Sequence, residues 1–445
     1  MRKIKIGVLG GYRGSSMINY CKRADNAEVV AICDKLPEVL EQQKKAAAGL
    51  DITYYDNFED FLKHDMDAVV LANYANEHAP FAIRAMKAGK HVFSEVLPMQ
   101  TMKEAIELIE TVEETGMIYA YAENYCYMPA PYEMRNLYRQ GKIGEFEYGE
   151  CEYGECEYLH NCESIWPSIT YGDKTHWRNN MFSTFYCTHS LGPIIHATGL
   201  RPVSVTGFES TLNARNLAVG SKGANMGIEM VTLENGALVK SIHGGLYENS
   251  IWYSMYGSKG RMESAREDAE NDKYYRIYVK ADKHAGEYAN LPVESYLPRE
   301  NDERVKGVSH GGSDFYSIWH FVEKILGNPE ADTIDVYEAT DMCMCGMFAF
   351  RSILNGGVPM QIPNLRNKAE RDAWRDDVAC CDPKVAGDQL LPTCKGGTPE
   401  IDDGVYAHMK KLYEIECAKP NGGDYRAKAF NQGNKKEEGN KGGLI

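Results

Sequence analysis

The first sixteen residues restrict the fold more than any other segment. Ile4 to Leu9 reads as a short strand, and Gly10-Gly11-Tyr12-Arg13-Gly14-Ser15-Ser16 follows as a glycine-rich turn into a helix. A second strand candidate, Val29-Val30-Ala31-Ile32-Cys33, ends at Asp34, twenty residues after Gly14. This is the layout of a dinucleotide site. Glycines allow the backbone to approach a pyrophosphate, the helix start offers unpaired N–H groups, and the acid bonds a ribose diol. Gly10, Gly11, Tyr12, Arg13, Gly14, Ser15 and Asp34 are therefore the first cofactor-binding candidates. The glycine spacing, G-G-x-x-G, is one residue short of the usual fingerprint. Asp34 repels a 2′-phosphate, which selects NAD over NADP.

The alternation continues. Ala68–Ala72, His91–Ser94 and Ile118–Ala120 read as strands, with amphipathic helices such as Pro80–Ala88 and Met102–Glu114 between them. Strands alternating with helices imply a doubly wound parallel sheet, with the cofactor across the carboxyl ends of its strands. The segments Asn73 to His78 and Glu95-Val96-Leu97-Pro98 lie at those ends. They add Asn73, Asn76, His78 and Glu95 to the cofactor candidates, with Asn124 after the last strand.

Beyond residue 125 the pattern changes to α+β. A helix over Tyr132–Arg139 leads to a strand-like run from Phe146 to Tyr158. Val203–Phe208, Gly227–Leu233, Ala237–His243, Ile251–Tyr256 and Arg261–Glu263 follow as strands, with Asn235-Gly236 a strong hairpin turn. Helices over Ser313–Leu326 and Val336–Asn355 complete an open, mostly antiparallel sheet. The expected division is a Rossmann domain over 1–125, an α+β domain over 126–360 and a partly irregular extension over 361–445 with a helix near Gly404–Ala418. The free face of the open sheet is a natural surface for a homodimer or homotetramer.

With 64 acidic against 49 basic residues the formal charge is −15, which argues against nucleic acid or an anionic membrane as partner. No apolar stretch approaches the ~18 residues of a spanning helix. Thirteen cysteines without zinc-type spacing read as reduced thiols of a cytoplasmic protein, a form exported and trimmed of its signal being the other option. Carboxylates and cysteines around 151–189 have no familiar ligand spacing, so no metal is expected.

The glycine turn, Asp34, Asn76-x-His78, the run from Ala85 to Val92, Glu95 and the segment from Gly141 onward resemble the Gfo/Idh/MocA oxidoreductase family, over roughly residues 1–360. Most of its members are NAD(P)-dependent sugar or cyclitol dehydrogenases. Two departures separate this chain from them. Glu95-Val96-Leu97-Pro98 stands where the dehydrogenases carry Glu-Lys-Pro, and Phe185 stands where an aspartate precedes the histidine by four. Glu123-Asn124-Tyr125, Tyr158-Leu159-His160, His176-Trp177-Arg178, Tyr186-x-x-His189-x-x-Gly192-Pro193 and His310-Gly311-Gly312-x-Asp314 instead resemble the family's NAD-dependent glycosidase branch, typified by the bacterial α-N-acetylgalactosaminidases.

That branch implies glycoside cleavage without net redox change: oxidation at C3, proton loss at C2, elimination at C1, water addition and re-reduction. The resemblance assigns Tyr186 and His189, one helical turn apart, to proton transfer at C3 and C2. It gives Tyr158 and His160 roles at C2 or C1, and Glu123 a role in orienting the sugar or accepting a proton. Arg178, Trp177 and His310 become substrate-binding candidates. A small carbohydrate or glycoside is the expected partner. The alternative is a dehydrogenase with net hydride transfer, and a third reading is a non-catalytic NAD-binding protein.

Overall fold

Ile4–Leu9 (β1) and Ala68–Leu71 (β4) are buried almost throughout, as strands covered on both faces must be. With Ala27–Cys33 (β2), Thr53–Tyr55 (β3), His91–Ser94 (β5) and Tyr119–Tyr121 (β6) they form a six-stranded parallel sheet in the order β3-β2-β1-β4-β5-β6. The order reverses between β1 and β4, which opens a crevice at their carboxyl ends. The computed structural model describes residues 2–153, 166–245, 251–268, 275–281, 292–306, 308 and 310–418.

The second sheet has nine strands. They are Phe146–Tyr153 (β7), Pro202–Glu209 (β8), Met226–Leu233 (β9), Leu238–Gly244 (β10), Ile251–Gly257 (β11), Gly260–Ser264 (β12), Ile277–Ala281 (β13), Glu294–Tyr296 (β14) and Met360–Gln361 (β15). Asn235-Gly236 makes the β9–β10 hairpin, with Gly236 at φ +87°. The sheet departs from a simple run of consecutive hairpins. β7 lies between β10 and β11 and pairs parallel to β10, while the other pairs in this sheet are antiparallel. Cross-strand register places Glu229, Ser241, Cys151 and Tyr253 in one row. All four are buried, on the side facing the helix Thr188–Thr198. The long helix Val336–Leu354 covers β8, where Gly207 lets it approach closely: a Cβ there would meet Ala349 O at 2.2 Å.

Over its described residues, 362–418, the extension is more ordered than its polar composition predicts. Its helix Lys368–Trp374 and following turn fasten to the helix Met102–Thr115 through forked ion pairs, Arg371 to Glu113 at 2.5 and 2.7 Å and Arg375 to Glu110 at 2.8 and 2.9 Å. Arg351 holds Asp377 in the same way at 2.6 and 2.8 Å. Partners more than 250 residues apart leave no local pattern in a sequence.

Candidate active site

The turn after β1 is built on close backbone approach. Gly10 sits at φ +92°, and a Cβ there would lie 2.3 Å from Ala72 O. A Cβ at Gly14 would lie 2.2 Å from Val8 Cγ1 and 2.6 Å from Gly10 O. No other residue fits either position without moving the β1 and β4 ends. Asp34 is anchored across the crevice: Oδ2 accepts the Gly11 N–H at 2.8 Å and Oδ1 accepts the Leu36 N–H at 2.9 Å. Carboxylate oxygens accept more than one bond, so the anchored group can still take a ribose diol. Beside it Asn73 Oδ1 is buried without a hydrogen-bond partner, an acceptor aligned with the same crevice. These features fit a dinucleotide.

His78 braces the floor. Burial pushes its imidazole down to about 4, so the ring is neutral and donates once. The shorter contact, from Nδ1 to Leu97 O at 2.8 Å, takes the proton and fixes the Glu95–Pro98 loop to the start of the helix His78–Lys87. Asn76 turns the other way, donating to Asp382 Oδ2 at 3.3 Å.

Where the dehydrogenases have a lysine after Glu95, the charge partner here comes from the glycine turn. Arg13 Nε lies 3.0 Å from Glu95 Oε1, and the rest of the guanidinium forks onto Asp314 at 2.9 and 3.2 Å. Asn124 Nδ2 donates to Asp314 Oδ1 at 3.0 Å, and His310 Nδ1 stands 3.1 Å from Oδ2. Burial acts to raise the Asp314 carboxyl, but Arg13 and His310 win and hold it well below the usual range. Glu95 shows the opposite balance: burial raises it, and Arg13 offsets only part. Asp314 lies in the first turn of the helix Ser313–Ile325, so this cluster joins the first turn of the chain to a residue 301 positions later.

The other wall is aromatic. Trp177 and Tyr186 stack at 6.1 Å and 16°, with the Arg178 guanidinium 4.5 Å from the indole and 5.3 Å from the phenol ring. His176, driven well below its ordinary range by burial and by Arg178 and Lys35, accepts the Arg178 N–H on Nδ1 at 3.2 Å. Tyr186 is not on the helix with His189, as the spacing suggests, because the helix begins at Thr188. Tyr186 closes the turn before it, and the two rings still meet edge to face at 4.9 Å and 72°. Burial raises the Tyr186 phenol, with Arg178 offsetting part, so it is a protonated donor at neutral pH. Behind His189, Glu123 Oε1 lies 2.6 Å from Nδ1, and Tyr125 packs on the ring at 4.3 Å. A carboxylate accepts, so Nδ1 carries the proton and Nε2 is the basic nitrogen.

A single cavity of about 480 Å³ runs along both walls. Of the cofactor candidates, Gly10, Tyr12, Arg13, Asp34, Asn73, His78, Glu95 and Asn124 line it; Gly11, Gly14, Ser15 and Asn76 do not. Tyr186, His189, Arg178, Trp177 and His310 line it, while Glu123 stands behind His189. Tyr158 and His160 lie outside the described residues. Sequence reasoning gave no site role to Tyr125, His176 or Asp314. The His-Gly-Gly-x-Asp element was the one available signal, for Asp314. Among the described residues no group of three His, Cys, Asp or Glu side chains comes together as a metal site.

Residues 4–123 match the model of the Gfo/Idh/MocA oxidoreductase family's NAD-binding Rossmann fold, and residues 248–372 match that of the glycosyl hydrolase 109 C-terminal domain. The Tyr186–His189 pair lies between the two matched stretches. A glycosyl hydrolase family 109 protein of Shewanella pealeana is 26% identical over 408 residues, covering 84% of this chain and 87% of its own. An α-N-acetylgalactosaminidase of Shewanella oneidensis is 25% identical over 412 residues, covering 84% and 86%. Among solved structures, the WlbA dehydrogenase of Bordetella pertussis in complex with NADH and UDP-GlcNAcA aligns with a TM-score of 0.63 at 19% identity, covering 81% of this chain and 98% of its own. An aldose-aldose oxidoreductase of Caulobacter crescentus aligns at 0.64 and 17% identity, covering 81% and 100%. These structures share the fold.

Proposed function

As a Gfo/Idh/MocA-family chain carrying the glycosyl hydrolase 109 C-terminal domain, this protein is a glycosidase, and we propose that it cleaves its glycoside through transient oxidation at C3 with recycled NAD. The observation that carries this reading is the continuity of one cavity from the Gly10–Asp34 cradle to the Glu123-backed His189. Bound NAD would supply a reversible hydride acceptor at C3, which acidifies the C2 proton and permits elimination at C1.

The protein's share is positioning and proton transfer. Gly10 and Gly14 admit the pyrophosphate, and Asp34 selects the ribose diol of NAD. His189 Nε2 takes the C3 hydroxyl proton during oxidation, passes it to solvent and then takes the C2 proton, with Glu123 stabilising the cation formed each time. Tyr186, kept protonated by burial, donates its proton to the departing oxygen and takes one back from the entering water. The Arg178 guanidinium sits over the Trp177 ring, and its N–H groups meet sugar hydroxyls. Arg13 is the charge partner of Glu95, whose own loop carries no lysine, so the proton relay at C3 falls to the side-chain wall instead.

The experiment is an assay of nitrophenyl glycosides with catalytic NAD, and with stoichiometric NAD in parallel. Aglycone release without net change at 340 nm, together with solvent deuterium at C2 of the product, is the expected result. Net growth at 340 nm would make the protein a dehydrogenase instead.

A further inference from the structure

The helix Thr188–Thr198 contains Pro193 in its interior. Proline has no N–H, so the carbonyl four positions earlier loses its helical donor. That carbonyl belongs to His189. It is not left unpaired: the Tyr253 hydroxyl donates to it at 2.6 Å. Tyr253 stands on β11, 64 residues further along, and is 1% exposed. Its N–H donates to Ser264 Oγ at 3.0 Å, which ties that strand position to β12.

The residue before the proline completes the arrangement. A Cβ at Gly192 would lie 3.0 Å from Glu123 Cγ and 3.2 Å from Met342 Sδ. Glycine there leaves room for the carboxylate that holds the His189 ring. Gly192 thus admits the ring's partner, and Pro193 vacates the main-chain acceptor that Tyr253 fills.

We propose that Tyr253 is a positioning residue for His189, acting through the carbonyl that Pro193 leaves without a helical donor. Tyr253 does not line the cavity and touches no reacting atom. It fixes the backbone of His189 while Glu123 fixes the ring, so Nε2 has one orientation relative to a bound sugar. The proposal rests on His189 as the base.

The test compares the wild type, Y253F and Y253F/P193A. Y253F deletes only the donor. P193A returns a peptide N–H that can bond the same carbonyl within the helix. In Y253F kcat falls about tenfold or more while KM and NAD affinity stay within about twofold, and the pH–kcat profile shifts. In the double variant kcat and the profile return most of the way to wild type. A Y253F enzyme with wild-type kcat and profile, or a loss that P193A does not recover, overturns the proposal. If Y253F alone does not accumulate folded, the double variant decides: near wild-type kcat supports the proposal and a lasting loss overturns it. If the wild type hydrolyses no glycoside, the glycosidase reading fails separately. The His189 ring nitrogen signals by NMR then decide, moving in Y253F and returning in the double variant, or not moving.

Discussion

On the β1 side of the cavity the ligand-facing surface is main chain, shaped by Gly10 and Gly14 and anchored through Asp34 to its own backbone neighbours. On the side of the helix Thr188–Thr198 it is side chain, and each group leans on another side chain: His189 on Glu123, 66 positions earlier, and Tyr186 on Arg178. A backbone wall tolerates little substitution but needs few partners. A side-chain wall can change chemistry residue by residue, yet it holds its geometry only while distant segments stay in register. The two walls should therefore fail differently when altered.

The largest separation is expected at His189. H189A removes the base and should lower kcat by about 10³-fold, within the usual range for a lost general base, while NAD affinity stays within about twofold. Steady-state kinetics beside fluorescence titration of NAD measures both, and lost NAD binding would mean that the walls are not independent. E123Q keeps the shape but removes the charge behind the ring, and kcat should fall by about 10²-fold with KM little changed. Gly10→Ala tests the opposite wall. The added carbon meets Ala72 O at 2.3 Å on a backbone at φ +92°, so the NAD dissociation constant should rise by about tenfold or more. An affinity unchanged by G10A would refute close approach at that turn.

The same contrast explains what could be read in advance. β1 and β5 have the bounds their apolar runs predict, and Gly10, Gly14 and Asp34 declare themselves by spacing along one βαβ unit. The other wall is assembled over long separations. Glu123 and His189 are 66 positions apart, and Arg13 and Asp314 are 301 apart. Spacing put Tyr186 on the helix with His189, and resemblance gave Glu123 a role in orienting the sugar or accepting a proton. The fold starts the helix only at Thr188 and sets Glu123 behind the ring. β7 entering between β10 and β11 is equally invisible locally, since its parallel partner begins more than eighty residues later. Resemblance supplied what periodicity lacked here, because it carries three-dimensional neighbours inside short motifs.

An effect on stability rather than on catalysis lies behind the side-chain wall, where Glu229 of β9 is fully buried and neither carboxyl oxygen has a hydrogen-bond partner. Burial pushes its carboxyl up to about 8, and Ser241 opposite offsets only part. The unfolded chain releases that proton near 4.5. Between these values the folded protein holds one proton that the unfolded chain has lost. The contribution of the neutral carboxyl is thus fully present below about 4.5 and is lost as pH rises toward about 8, at roughly 1.4 kcal/mol per pH unit. E229Q preserves the shape and cannot titrate. Urea unfolding at pH 5, 6, 7 and 8 should show the variant losing stability less steeply than the wild type by about that slope. Equal slopes would mean that Glu229 is ionised in the fold. A charge would then lie under the helix that carries His189, and the field at the base would have a second source besides Glu123.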